Sequence, residues 1–338
     1  MAKHYPEISA QFLQLLERLA GRPVAVVGHA RPDGDCIGSQ IAVAGVLRAK
    51  GFNVVCVNAD PVPRRLEFLV SEMKFLRTDD VLQDPTDYAA IFVDCADHAR
   101  PGERLKARFP RPLANIDHHL SNTGYAEFNL VDSASAATCE ILAGVFTDCD
   151  MPVDAATAQG LYTGILTDTG QFRFTSTTKR TFLLAADLLQ YGANPTQAGY
   201  ELYERESVGK LKLLQHYLSS LTMECGGRLC IGVLAPGIFE RTGTTAEDTE
   251  GLVDYARSID GVDVGVLIEE RPDGSVKASL RGKDPVYRLD RIAAQFNGGG
   301  HACAAGLNLK TNTQDFRARL IAALASQFAA VDAARLSS

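Results

Sequence analysis

The chain of 338 residues is more than twice a common domain length, which favours two domains, each able to bury its own core. With 46% hydrophobic and 22% charged residues it has the make-up of an ordinary globular protein, and no disordered or fibrous class is needed. Its 34 Lys and Arg against 41 Asp and Glu leave a net charge of −7, which offers no basic track for a long polyanion, so a nucleic-acid substrate would be short and held in a pocket.

The N-terminal "MAKHYPEISAQFLQLLERLAGRP" lacks the basic flank, unbroken apolar core and cleavage site of a secretory signal, and reads as an amphipathic helix. No apolar stretch reaches the roughly 18 residues of a membrane span, so the expected location is cytoplasmic, away from membranes. From residue 24 to about 120, apolar runs alternate with helical patterns: "VAVVGH", "IGSQIAVAGVLRAKG", "NVVCVNA", "AAIFVDCAD" and "PLANIDHH". Nearly continuous apolar strands alternating with helices predict an α/β domain with a mostly parallel sheet covered on both faces.

Helical periodicity then takes over through "SAATCEILAGVFTD", "AATAQGLYTGILTD" and "TTKRTFLLAADLLQYG", the last stopping at Gly192. The charged stretch "PTQAGYELYERESVGKLKLLQHYLSSL" suits helices connecting two domains. Beyond Thr222 strands return, with a Gly226-Gly227 turn, a helix near "AEDTEGLVDYARSI" and a hairpin at "RPDG", before a C-terminal helix from "TQDF". The expected division is residues 1–190 for the first domain, 191–222 for a helical linker and 223–338 for a smaller α+β domain. Eight scattered cysteines without a C-x-x-C pair read as reduced, buried thiols, with packing the default role for Cys36 and Cys303.

Four segments carry the chemistry: His29, Asp33 and Asp35 after "VAVV", Asp94 after "AAIFV", Asp117, His118 and His119 after "LANI", and Asp168 in "GILTDTG". Loops at the carboxyl ends of neighbouring parallel strands meet over one crevice. Imidazole and carboxylate without thiolate suit a moderately hard divalent ion, with the histidines tilting the choice from Mg²⁺ toward Mn²⁺. Singly, each element has a structural explanation: "PDGD" is a turn in which Asp33 or Asp35 caps the helix beginning near Ile37, and Asp94 is a strand-end cap. Their convergence favours a metal site, because so many carboxylates without a cation would repel one another strongly.

These segments resemble the DHH phosphoesterase superfamily. "HARPDGDCIGS" is similar to its first motif, "VDCAD" to its second, "DHH" at 117–119 to its third, "TDTGQF" to its fourth, and "FNGGGHACAAG" at 296–306, preceded by "SLRG", to the signature of the associated DHHA1 domain. The resemblance implies an N-terminal DHH catalytic domain with two divalent ions: His29 and Asp33 on one, Asp35, His118 and Asp168 on the other, and Asp94 bridging them. Carboxylates two residues apart can reach two ions about 3.5–4 Å apart, and such a pair lets water cleave a phosphoester without a covalent enzyme intermediate. His119 would contact the scissile phosphate or assist the leaving oxygen, with Asp117 orienting the histidines from behind. Arg281, Gly298, Gly299, Gly300 and His301 would bind substrate phosphate or carboxylate, Arg281 through a two-pronged hydrogen bond. Asn297 stands where many relatives carry a fourth glycine and Gly282 where serine is frequent. Ser135 and Thr138 in "DSASAATCEIL" cap a helix or aim toward the site, capping being the simpler account.

Two-domain members of this size imply a nanoRNase acting on short oligoribonucleotides together with a 3′-phosphoadenosine 5′-phosphate (pAp) phosphatase. The nearest alternative is a cyclic di-AMP or pApA phosphodiesterase, and from another class a nucleotide-binding sensor without catalysis. The second domain argues against an inorganic pyrophosphatase. A homodimer is compatible with this reading.

Overall fold

The apolar runs read from the sequence become neighbouring strands of one sheet. The computed structural model describes residues 3–70, 73–84 and 86–336, and they form two units that divide after Arg205. In the first, strands β1 (Val24–Val27), β2 (Val54–Asn58), β3 (Phe75–Arg77), β4 (Ala89–Val93), β5 (Ala114–Asp117) and β6 (Phe128–Val131) lie in the order β3-β2-β1-β4-β5-β6, every pair parallel. β1 and β4 are buried along their whole length, which is why they read as unbroken apolar runs. The edge strands β3 and β6 escape a sequence reading because they are short and polar at Arg77 and Asn129. Chain order reverses between β1 and β4, and at such a point the loops diverge and open a crevice beyond the carboxyl ends of the strands.

The N-terminal helix Pro6–Leu19 docks Phe12, Leu15 and Leu19 into the core. Helix Gly34–Ala49 begins earlier than Ile37, because the Asp33 side chain accepts the Cys36 N–H at 3.1 Å and caps it. It is buried along most of its length against helix Ala155–Asp168, with helix Thr138–Asp148 alongside. Glycines make that contact possible. A Cβ at Gly38 would collide with the Gly160 carbonyl oxygen, and one at Gly164 with the Cys139 thiol and the Asp35 carboxylate. Backbone thus meets backbone, and the helices bearing Asp35 and Asp168 approach more closely than side chains would permit.

The second unit is α+β. Strands β7 (Thr222–Glu224), β8 (Leu229–Leu234), β9 (Val264–Glu270), β10 (Ser275–Gly282), β11 (Gly299–Gly300) and β12 (Ala304–Lys310) lie in the order β11-β12-β10-β9-β8-β7. All pairs are antiparallel except β8 with β9. The "RPDG" turn closes the β9–β10 hairpin through a 2.9 Å bond from the Arg271 N–H to the Ser275 carbonyl. Helix Val208–Ser219, inside the stretch that reads as a connector, buries Leu213 and Tyr217 in this unit's core. The C-terminal helix Thr313–Leu336 packs Phe316, Leu320, Leu324, Phe328 and Val331, at three- and four-residue spacing, against a second cluster with Val266, Ala278 and Leu280. All eight cysteines are free thiols, and among the described residues no helix is long and apolar enough to cross a membrane.

Gly38→Ala is expected to lower stability by roughly 1–3 kcal/mol through overpacking, seen as a lower urea midpoint. Gly199→Ala is the control. Gly199 is helical, with open space where its Cβ would stand, so the midpoint should hold or rise.

Candidate metal centre

Beyond the end of β1, after Gly28, comes the buried ring of His29. Its Nδ1 lies 2.9 Å from the Ala30 carbonyl; a carbonyl can only accept, so the proton sits on Nδ1 and the Nε2 lone pair is left for a cation. That Nε2 faces Asp94 Oδ2 at 3.3 Å and Asp33 Oδ1 at 3.7 Å. His118, directly after β5, repeats the arrangement. Its Nδ1 is 3.3 Å from the Ser135 carbonyl, while Nε2 faces Asp168 Oδ2 at 3.2 Å, Asp94 Oδ1 at 3.7 Å and Asp35 Oδ2 at 4.0 Å. The donor atoms thus form the groups His29–Asp33–Asp94 and Asp35–His118–Asp168, with a third, Asp94–His118–His119, overlapping both, and Asp94 turns Oδ2 to His29 and Oδ1 to His118.

Asp94 reaches this position at a conformational cost. Its φ of +56° is left-handed, a region that costs a residue with a Cβ on the order of 1 kcal/mol or more. The surroundings hold it there. Its N–H donates to the Ile116 carbonyl at 2.9 Å, and the next carbonyl, that of Cys95, accepts from Asn115 Nδ2 at 3.2 Å and Tyr125 OH at 3.0 Å. Thr138 Oγ1 donates to Asp94 Oδ1 at 3.2 Å.

Asp35 is fully buried at the N-terminus of helix Thr138–Asp148 and accepts the N–H groups of Thr138 and Cys139 at 2.7 and 2.8 Å. This corrects the capping role expected of Ser135 and Thr138. The helix has no side-chain cap of its own at Ala137, Asp35 caps it from another helix, and the Thr138 hydroxyl turns to Asp94. Asp117 orients one histidine, not both: its Oδ1 takes His119 Nδ1 at 2.7 Å, and its Oδ2 takes Asn122 Nδ2 at 2.6 Å. Asn122 also donates to Asn115 at 2.7 Å, tying the support of His119 to that of Asp94. Thr138 aims at the site, the second of the two roles its sequence offered, whereas Asn115, Asn122 and Tyr125 carried no signal, because their partners lie elsewhere in the chain.

Without a cation this cluster retains protons. Burial, then the charge on Asp94, pushes Asp35 up to about 7. Burial and the carboxylates of Asp35, Asp33 and Asp94 push Asp168 well above the usual carboxylate range. Burial disfavours the charged form of His118, but Asp94 and Asp35 outweigh it and raise its pKa. The residues fit divalent cations. The donors are carboxylate oxygens and imidazole Nε2 atoms, both imidazoles are fixed from behind by carbonyls, and donor atoms 3.2–4.0 Å apart can converge on one ion at bond lengths of about 2.1 Å.

Residues 23–165 match the DHH family, N-terminal domain, and residues 226–329 match the DHHA1 domain. A protein of Thermus thermophilus named bifunctional oligoribonuclease and PAP phosphatase NrnA is 33% identical over 297 residues, spanning 88% of this chain and 87% of its own. The chain belongs to the DHH family. A Bacillus subtilis protein of the same name is 27% identical over 290 residues, covering 83% of this chain and 87% of its own. The fold matches the crystal structure of an exopolyphosphatase-related protein from Bacteroides fragilis with a TM-score of 0.85, at 22% identity over 96% of this chain and 97% of that one.

In the DHHA1 domain Arg281 is the last residue but one of β10, partly buried, and pairs with Ala304 of β12, whose neighbour Ala305 pairs with Gly300 of β11. Arg281 and the glycines therefore flank one strand at the same end of the sheet. The glycines are not equivalent. A Cβ on Gly298 or Gly300 would strike β12, whereas Gly299 has open space. The Gly298 N–H is already bonded to the Ala293 carbonyl at 2.9 Å, and the pairing of Gly299 with Gly306 and of Gly300 with Ala305 ties part of the remaining backbone into the sheet. Asn297 takes a φ of +57°, left-handed like a glycine, which asparagine tolerates better than most residues. His301 is exposed, its N–H closing the following turn onto Ala304 O at 2.7 Å.

Because Asp35 and Asp168 hold protons that a cation must displace, Mn²⁺ affinity should fall as pH drops below about 7 and rise above it, with protons released on binding. Calorimetric titration in buffers of different ionisation enthalpy would measure both.

Proposed function

We propose that this DHH-family chain hydrolyses the phosphoesters of short oligoribonucleotides and of pAp, using two divalent cations with Mn²⁺ preferred over Mg²⁺. The observation that carries this reading is Asp94, whose two oxygens face His29 and His118 at 3.3 and 3.7 Å, as a carboxylate shared by two ions requires. The names of the Thermus and Bacillus relatives support the substrate class. The absence of thiolate and the presence of two imidazoles support Mn²⁺.

In this reading His29, Asp33 and Asp94 hold one cation, and Asp35, His118 and Asp168 the other, with Asp94 common to both. Bound there, the cations supply water activation at neutral pH and neutralisation of the charge on phosphate. The chain's own groups do the rest. His119 is held through Nδ1 by Asp117 at 2.7 Å, and in this reading its ring contacts the scissile phosphate or assists the leaving oxygen. Burial weakens its hold on a proton, but the Asp117 hydrogen bond and the Asp94 charge prevail, and its pKa stands above that of an ordinary histidine, as suits a proton donor near neutrality. In the second unit, Arg281 with the 298–301 segment can bind an anionic group of a nucleotide. A chain of net charge −7 with such anchors suits a substrate of a few nucleotides.

Turnover of pApA, longer oligoribonucleotides, pAp and cyclic di-AMP, each with Mn²⁺ and with Mg²⁺, tests this. Short linear RNA and pAp should be consumed, fastest with Mn²⁺. Preference for the cyclic compound would move the assignment to a cyclic dinucleotide phosphodiesterase, and nucleotide binding without turnover would make the chain a sensor. Asp94→Ala should reduce turnover to background with every metal. Arg281→Ala should raise KM about tenfold or more while largely sparing kcat, since it removes hydrogen bonds to a charged group.

A further inference from the structure

The turn before helix Thr138–Asp148 supplies the Ser135 carbonyl that holds His118, and a buried ion-pair network lies behind it. Glu140 is wholly buried and accepts four bonds: Arg180 Nε at 2.9 Å and Tyr5 OH at 3.4 Å on one oxygen, Thr181 Oγ1 at 3.0 Å and the Ala136 N–H at 3.0 Å on the other. Arg180 then uses NH2 to reach Asp132 Oδ2 at 3.2 Å and Ser135 Oγ at 3.0 Å, so one guanidinium spans both ends of the 132–136 turn. Its plane sits 4.3 Å over the Tyr5 ring, and the Tyr5 hydroxyl lies 2.8 Å from Ser135 Oγ.

Tyr5 is itself anchored at the far end of the same helix. Asp148 accepts the N–H groups of His4 and Tyr5 at 2.8 and 2.7 Å and the Ser9 hydroxyl at 2.9 Å, and the Tyr5 ring lies where any side chain on residue 144 would have to be. Tyr5 and Arg180 both fall outside residues 23–165, the span that matches the DHH domain.

We infer that Arg180, working with Glu140 and Tyr5, is a positioning residue for the His118 side of the metal centre; this rests on the two-cation reading above. The geometry is direct. Arg180 and Tyr5 hold Ser135; the Ser135 carbonyl takes the His118 Nδ1 proton and so presents Nε2 to Asp168, Asp35 and Asp94; and the helix that follows donates its first N–H groups to Asp35. The His29 ring is fixed instead by the adjacent Ala30 carbonyl, and the Ala30 N–H donates to the Arg100 carbonyl at 2.9 Å. The network therefore bears most directly on the cation held by His118. Only a planar fork can satisfy Glu140, Asp132 and Ser135 together, so lysine, with a single point of charge, cannot replace arginine.

The test is Mn²⁺ binding to the full chain by calorimetry, for the parent protein, Arg180→Lys and Tyr5→Phe, with kcat and KM for pAp measured across a range of Mn²⁺ concentrations. The parent should bind two Mn²⁺. Arg180→Lys should weaken one of them by about 10- to 100-fold, the range for groups that orient a metal ligand, and leave the other unchanged. Its kcat should recover in excess Mn²⁺ while KM for pAp stays put. Tyr5→Phe should give a smaller loss in the same site and carries the test if Arg180→Lys does not fold. Two isotherms identical to the parent, or an equal weakening of both sites together with a lower melting temperature, would reduce the network to a fold-stabilising ion pair and overturn the inference. A parent protein that binds no Mn²⁺ would overturn the two-cation reading as well, and that failure is seen before any variant is made.

Discussion

Four carboxylates, those of Asp33, Asp35, Asp94 and Asp168, meet in one place, and three of them face the single imidazole of His118. Negative charges gathered this closely in a protein interior repel one another and lose hydration, so they stay together only where cations or fixed dipoles answer them. The neighbourhood can be understood as that answer. Helix Thr138–Asp148 points its first N–H groups at Asp35, a hydroxyl and three histidines border Asp94, and Asp33 remains half in solvent at the start of its own helix. What is left over is charge that two divalent ions would neutralise.

Holding such a cluster requires rigidity around it. The left-handed turn at Asp94 persists because Ile116, Asn115 and Tyr125 fasten the backbone on either side, and Asn115 in turn is bonded to Asn122, which bears on Asp117 and through it on His119. These are polar contacts among buried and half-buried groups, and a network of that kind fixes geometry more closely than apolar packing does. The meeting place follows from topology: β1 and β4 are adjacent strands at the point where chain order reverses, so His29 and Asp94 emerge side by side at their carboxyl ends.

Much of this was legible in the sequence because the ligands come in local groups. His29, Asp33 and Asp35 lie within seven positions, Asp117 to His119 are consecutive, and each group follows an apolar run that could only be a strand in a doubly covered sheet. The unreadable features are those whose meaning depends on distant partners. Thr138 looks like a cap until the fold brings Asp35 to it from more than 100 positions away, and Arg180 and Tyr5 look like ordinary helix-start residues until both arrive at Ser135. Short polar edge strands such as β3 and β6 leave no apolar run to find. In helix Val208–Ser219 the charged residues dominate the reading, and only Leu213 and Tyr217, four apart, mark the face that docks.

The glycine seam between helices Gly34–Ala49 and Ala155–Asp168 has a bearing on which ions the centre can admit. Asp35 and Asp168 ride on these helices, and their separation is set where one backbone rests on another at Gly38 and Gly160, a contact with no side chain left to reorient. The backbones that carry the two carboxylates therefore cannot part at this seam. An ion that takes longer bonds and more oxygen ligands, as calcium does, would have to be met by the carboxylate side chains alone. The glycines would then shape the centre by fixing where its side chains start.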